Sequence, residues 1–163
     1  MAKILKILTI KDSEEEKLLR KKSADVSKEE IKSKEFQDFL DDLILTAEQV
    51  LTDEGYTAAG LAAVQVGVSK RIFCILEEGS NKFWIMINPQ IKIFNKTQVL
   101  GVEGCLSVPN REGRVSRYKK IKVKYLNRDG NIEKKIFTNQ EAREVQHEYD
   151  HTEGILFIDK IID

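Results

Sequence analysis

Both histidines of the chain fall in one short stretch, Gln146-His147-Glu148-Tyr149-Asp150-His151, four residues apart and with a glutamate directly after the first. On a helix, residues i and i+4 share a face, so His147 and His151 can offer imidazole nitrogens to a single metal ion while Glu148 stands beside the open coordination position. That is the chemistry of a metal hydrolase: an ion that acidifies water and polarises a carbonyl, and a carboxylate that moves the proton. The plain alternative is a surface helix with histidines spaced by four through coincidence. The confinement of both histidines to this motif, with the acid in the base position, favours the metal site.

A catalytic site of this kind takes three protein ligands and keeps one position for water. In the extended pattern H-E-x-x-H-x-x-G-x-x-H, Gly154 matches but position 157 is Phe157, so no third histidine is available. The sequence runs only to Asp163, which leaves no room for a glutamate well downstream, and the donor is expected from upstream. Cys74, inside the apolar run 71–76, reads as a small buried hydrophobe. Cys105, between Gly104 and Pro109, lies in a backbone-constrained and irregular segment. The expected ligand set is therefore Cys105, His147 and His151.

Those residues are shared with a known family. Gly60-Leu61-Ala62-Ala63-Val64-Gln65, Glu103-Gly104-Cys105-Leu106-Ser107 and Gln146-His147-Glu148-Tyr149-Asp150-His151 resemble, in that order, the three motifs of peptide deformylases. The resemblance runs from about residue 19 to 158 and implies removal of the formyl group from N-formylmethionyl nascent peptides. It also implies antiparallel sheets around a metal helix, and iron(II) as the working ion, with zinc, nickel or cobalt as substitutes. It assigns Gln65 and the backbone N–H of Leu106 as donors to the developing oxyanion, and Glu148 as the proton carrier.

Three positions depart from the family pattern. Ala58 replaces a glycine, and its methyl group would either narrow the cleft or demand a negative φ there. Thr152 replaces a leucine. Glu144, three before His147, replaces an apolar residue on the metal face; a carboxylate lining the pocket there would weaken a preference for methionine, whereas one turned to solvent would change nothing. Ala59 and Gly60 are expected to line the cleft as a strand edge that pairs with an extended peptide. Asp150 is expected to orient a histidine or to face a basic side chain, and Glu103 to pair with Arg143. Two competing functions remain: a metallopeptidase that cuts internal bonds, and a deformylase-like module that binds formyl peptides or metal without turnover.

The rest of the chain must position this constellation. At 163 residues one domain, 1–163, is expected, with a core of useful size. Lys plus Arg and Asp plus Glu both number 27, so nothing in the net charge marks a polyanion partner and no nucleic-acid binding is expected. No segment has the length of a membrane span, and the lysine-interrupted start, followed by Glu14 to Glu16, does not resemble a secretion signal. Two unrelated cysteines and a thiolate ligand favour a reducing compartment, the cytoplasm.

Residues 2–10 are expected to form a strand, and Asp12 to cap a short helix up to Arg20. A capping box at Ser27 and Glu30 opens an amphipathic helix whose apolar positions recur until Gly55. Strands are expected over 71–76, 83–88 and 90–94, then a hairpin of 121–126 and 132–137 around Asp129-Gly130. The metal helix follows, capped by Thr138 or Asn139 and ended by Gly154. Residues 155–158 are an apolar tail expected to dock onto a sheet. The pattern of elements is α+β.

Overall fold

The computed structural model describes residues 1–52 and 55–162. Its centre is a five-stranded antiparallel sheet in the order β1-β2-β3-β6-β7, made of Gly60–Ala62, Ile72–Leu76, Phe83–Ile93, Lys120–Leu126 and Ile132–Thr138. A helix covers each face. On one side α4, Asn139–Thr152, packs Ala142 and Val145 against Phe73, Ile75, Met86, Val123 and Phe137. On the other, α3, Lys34–Gln49, packs Phe36, Leu40, Leu43 and Ala47 against Ile72, Cys74, Ile85 and Ile87. Period-two alternation along β2 and β3 thus supplies two cores at once. Cys74 belongs to the α3 side and is fully buried; burial pushes its thiol pKa up, which suits the apolar role.

The amphipathic helix differs from its expected span. Ser33 divides it, ending α2, Lys28–Lys32, and capping α3 by accepting the Phe36 N–H at 3.1 Å. A serine between two helical patterns competes for the backbone, and apolar spacing does not register that break. The helix stops at Gln49 rather than at Gly55; Asp53 and Glu54, at the end of the expected span, lie outside the described residues. Ser27 caps α2 and Asp12 caps α1, Ser13–Leu19, as expected. Residues 2–10 form no strand. They are held at separate points instead, by the Leu8 N–H to the Gln65 carbonyl at 2.7 Å and the Ile10 N–H to the Ser107 carbonyl at 3.0 Å.

The two expected strands around Pro89 are one strand with a register shift between Ile87 and Gln90. Asn88 takes a positive φ of 50° there, and proline offers no N–H to the ladder. The Cys105 segment is more regular than Gly104 and Pro109 suggested. β4, Gln98–Cys105, and β5, Val108–Tyr118, form a separate two-stranded sheet with Leu106 and Ser107 at its turn. The tail docks on this sheet as expected: Leu156 and Phe157 are buried with Val108 and Val115, and Ile161 bridges to Val115. Gly154 takes the left-handed φ of 74° at the end of α4, where a Cβ would strike the Arg20 carbonyl.

Candidate metal centre and active site

Helix α4 is unusual in what it buries. Its interior side carries Arg143, Gln146, His147, Glu148, Asp150 and His151, all polar and all buried. Buried polar groups require partners, and here they divide into two sets.

One set is fully connected. Glu103 on β4 accepts both Nε and Nη2 of Arg117 at 2.9 Å, Nη1 of Arg143 at 2.7 Å and Nδ1 of His147 at 2.9 Å. Arg117 reaches across to Asp150, which also pairs with Lys160. Burial pushes the Glu103 carboxyl up, but the hydrogen bonds from Arg117 and His147 outweigh it and hold the group well below the usual carboxylate range. An ionised carboxylate only accepts, so His147 must carry its proton on Nδ1 and turn Nε2 towards the metal position. The expected Glu103–Arg143 pair is present. Asp150, in contrast, faces arginine and lysine, and the residue that orients a histidine is Glu103. Sequence reasoning missed Arg117 as the bridge; a lone arginine in a strand carries no local signal for a partner on another element.

The other set faces the cleft. Cys105, at the end of β4, places its sulfur 3.4 Å from Nε2 of His151, and the donor atoms of Cys105, His147 and His151 all lie within 4.8 Å of one another. A tetrahedral ion with bonds of about 2.0–2.3 Å holds ligand atoms roughly 3.3–3.7 Å apart; the Cys105–His151 distance matches that spacing, and the sulfur and two imidazoles fit such an ion in chemistry. Burial opposes charge on the His147 ring, yet the hydrogen bonds to Cys105 and Glu103 raise its pKa well above the ordinary value. Burial and the neighbouring His147 lower that of His151.

Glu148 lies beside these ligands on the wall of a cleft of about 400 Å³. Its Oε2 is buried without a hydrogen-bond partner among the described residues, as is Nδ1 of His151. Burial pushes the Glu148 carboxyl up to about 8, the charges of Glu144 and Glu103 adding to the effect against the pull of His147. Gly60 makes room for it, because a Cβ there would fall 2.9 Å from Cγ of Glu148. Gln65 closes the site from the 3-10 turn, Ala63–Val66, that follows β1: its Oε1 accepts the Ala62 N–H at 3.0 Å, which aims Nε2 at Ser107 (3.1 Å) and at the Cys105 sulfur (3.5 Å). Leu106, Ala59 and Gly60 also line the cleft, as does Ala58, whose φ is not positive. Glu144 lines it too, with its carboxylate accepting from Nε2 of Gln140 at 2.6 Å. Thr152 is buried and donates to the Tyr149 carbonyl at 2.6 Å.

A helix with an H-E-x-x-H face, completed by a cysteine from the end of a hairpin strand, defines a metal-hydrolase architecture, and comparison with known proteins narrows it. Residues 4–163 match the family model for polypeptide deformylase. The peptide deformylase of Fusobacterium nucleatum is 42% identical over 146 residues, 90% of this chain and 79% of that protein. That of Caldanaerobacter subterraneus is 42% identical over 117 residues, covering 71% of this chain and 69% of that one. Among solved structures, the class I type b peptide deformylase of Acinetobacter baumannii with Met-Ala-Ser bound superposes with a TM-score of 0.85 at 33% identity, covering 99% of this chain and all (100%) of that one. The Thermotoga maritima peptide deformylase gives 0.85 at 33% identity over 99% of both chains.

The chain belongs to the polypeptide deformylase family. It is a metal-dependent hydrolase that removes the N-formyl group from the N-terminal formylmethionine of newly synthesised proteins and releases formate. Neither the peptidase reading nor the binding-module reading is favoured by these relatives. Among the described residues no helix is long and apolar enough to cross a membrane.

Proposed function

We propose that deformylation here is carried out by Glu148, Gln65 and Leu106 around an iron(II) ion held by Cys105, His147 and His151. The convergence of those three donors beside the buried Glu148 carries the proposal. Zinc, nickel or cobalt would be accepted by the same sulfur and nitrogen donors. When bound, the ion supplies Lewis acidity to the formyl carbonyl and makes a water acidic.

Glu148 takes the proton of the attacking water and passes it to the departing amine. A carboxyl whose pKa is raised by burial is suited to both halves of that transfer. Nε2 of Gln65 and the N–H of Leu106 donate to the carbonyl oxygen as it gains charge. The substrate lies along the edge of β1 at Ala59 and Gly60, a strand paired on one side only, and presents its first side chain to the cleft. Glu144 in that wall moderates the preference for methionine. The bacterial-type substrate places the reaction in the cytoplasm, near the ribosome.

The test offers anaerobically iron-loaded protein formyl-Met-Ala-Ser and, separately, a longer unformylated peptide. Formate from the first and no internal cleavage of the second are expected; cleavage of the second, or binding without formate release, would overturn the assignment. In the same assay Glu144→Leu should widen the advantage of formyl-Met-Ala-Ser over formyl-Gln-Ala-Ser, and an unchanged ratio removes Glu144 from the specificity wall.

A further inference from the structure

The sheet is covered by α4 along one face, but α3 covers only part of the other, and β6 and β7 leave a bare region there. Cross-strand register identifies what that region carries. Lys92 is paired with Lys122, Gln90 with Lys124, Lys124 with Lys134, and Lys122 with Ile136. Directly paired residues point to the same side. Val123, Tyr125 and Phe137 face α4, so Lys92, Lys120, Lys122, Lys124 and Lys134 all face away from it. None of the five has an ion pair among the described residues; Lys120 alone is engaged, with Nζ 4.9 Å from the ring centroid of Phe94, itself half exposed. The strands contribute no carboxylate to this side: the other residues of β6 and β7 there are Leu126, Ile132, Ile136 and Thr138.

Folding does not account for this arrangement. Like charges placed directly opposite, as in Lys92–Lys122 and Lys124–Lys134, destabilise a sheet. Lysines do protect an edge strand from pairing with another chain, and that explains Lys134 on β7. It does not explain Lys120, Lys122 and Lys124, because β6 is paired on both sides. In a chain with equal numbers of acidic and basic residues, five unpaired cations on a rigid grid are a segregated charge. Their spacing, about 4.8 Å across strands and 6.8 Å along them, is of the order of the phosphate repeat in a nucleic-acid backbone.

We propose that this lysine face of β3, β6 and β7 binds the phosphate backbone of single-stranded RNA, with the exposed Phe94 ring available to a base. The face lies on the opposite side of the sheet from α4 and the metal ligands, so a bound RNA leaves the cleft open to a peptide. An anionic membrane would need an apolar element to enter the bilayer, and two isoleucines flat on a strand do not provide one.

The test measures anisotropy of a fluorescent 20-nucleotide poly-U RNA with the full, metal-loaded chain. Five neutralised phosphates on a single strand predict that affinity falls about 100-fold between 50 and 200 mM KCl. The triple variant Lys122→Glu, Lys124→Glu, Lys134→Glu should lose at least about 10-fold in affinity at 50 mM KCl, while Lys11→Glu, Lys21→Glu, Lys28→Glu, an equal charge change elsewhere, should lose much less. Melting temperature and formate release from formyl-Met-Ala-Ser report folding and the deformylase assignment independently of RNA. Equal losses in the two triple variants, no salt-dependent binding, or capture by phosphatidylserine vesicles in place of poly-U would overturn the proposal.

Discussion

Two sides of the same helix treat buried polarity in opposite ways. Towards β4 and β5, Glu103, Arg117, Arg143 and Asp150 pair with one another, with Lys160 and the carbonyls of Val99 and Val115 taking up further hydrogen bonds. Towards the cleft, Oε2 of Glu148 and Nδ1 of His151 are buried with no partner among the described residues. A buried unpaired polar atom costs about 1–3 kcal/mol, a penalty that folding alone gives no reason to keep. The connected side holds the ligands in place, and the unsatisfied side performs the reaction. His147 belongs to both, one ring nitrogen on Glu103 and the other towards the ion's position.

The division predicts opposite phenotypes for two glutamates. Glu148→Gln should lower kcat by about 100- to 10,000-fold, the range for a lost acid–base group. Bound metal should be retained and the melting temperature should not fall, since the substitution removes a carboxyl that burial disfavours as a charge. Metal analysis, calorimetry and formate release measure all three. Near-normal turnover would break the comparison at its catalytic end.

Glu103→Gln should do the reverse. Removing one partner of a buried ionic cluster costs about 3–5 kcal/mol, because Arg143 then loses its carboxylate and Arg117 keeps only Asp150. The unfolding midpoint should drop accordingly, and metal affinity should fall about 10- to 100-fold as His147 loses its anchor. Turnover per metal-loaded molecule should change far less than in Glu148→Gln. A variant with normal stability and severe loss of kcat would place Glu103 on the reacting side and erase the distinction.

How far this division could be read from the sequence depended on the distance between partners. His147, Glu148 and His151 announce themselves within one turn of helix, and Cys105 stands out because a glycine and a proline constrain its surroundings. The hydrogen bond from His147 to Glu103 spans 44 residues and has no local signature. Gly104 and Pro109 made the Cys105 segment look irregular, yet β4 runs through to Cys105; Gly101, on the same strand, is there for packing, since a Cβ would fall 2.8 Å from Cζ of Arg143. The split at Ser33 and the unladdered residues 2–10 escaped because apolar spacing reports which residues face a core, and not where backbone bonding stops. A net charge of zero likewise conceals the cluster of lysines on β6.

A smaller effect is expected where the sheet meets the reacting side. Gly60→Ala would place a methyl 2.9 Å from Cγ of Glu148 and from Cδ1 of Ile75, and 3.0 Å from the Cys74 carbonyl oxygen. Backbone on one side leaves only the side chains to yield. Overpacking of this kind costs about 1–3 kcal/mol. The comparison sharpens if kcat falls about 10-fold or more with Glu148 still present, since a misplaced carboxylate then mimics a partial loss of the group. Unchanged kcat would show that Glu148 tolerates displacement.

The smallest effect tests the support behind α4, through pH. Arg20, at the end of α1, donates through Nη1 to Oδ2 of Asp159 at 2.7 Å, and the Leu156 N–H reaches the same oxygen at 3.0 Å. Burial raises the Asp159 pKa, but the hydrogen bond from Arg20 outweighs it and the net shift is downward. A carboxyl depressed in the folded state stabilises above its unfolded pKa of about 3.9 and loses that contribution as pH falls through the lower folded value. Both side chains are more than a third exposed, so screening holds the contribution below about 1 kcal/mol. Asp159→Asn should therefore lower the melting temperature slightly at pH 7, and the gap to the parent should begin to narrow as the pH is taken below about 4 and close only below the depressed pKa of the folded carboxyl. A gap that persists in acid would assign the role of Asp159 to packing. A fall in kcat at pH 7 larger than the change in stability would show that the docked tail reaches the cleft, and the partition between holding and reacting would have to be redrawn around Phe157, whose ring stacks on His147 at 6.2 Å.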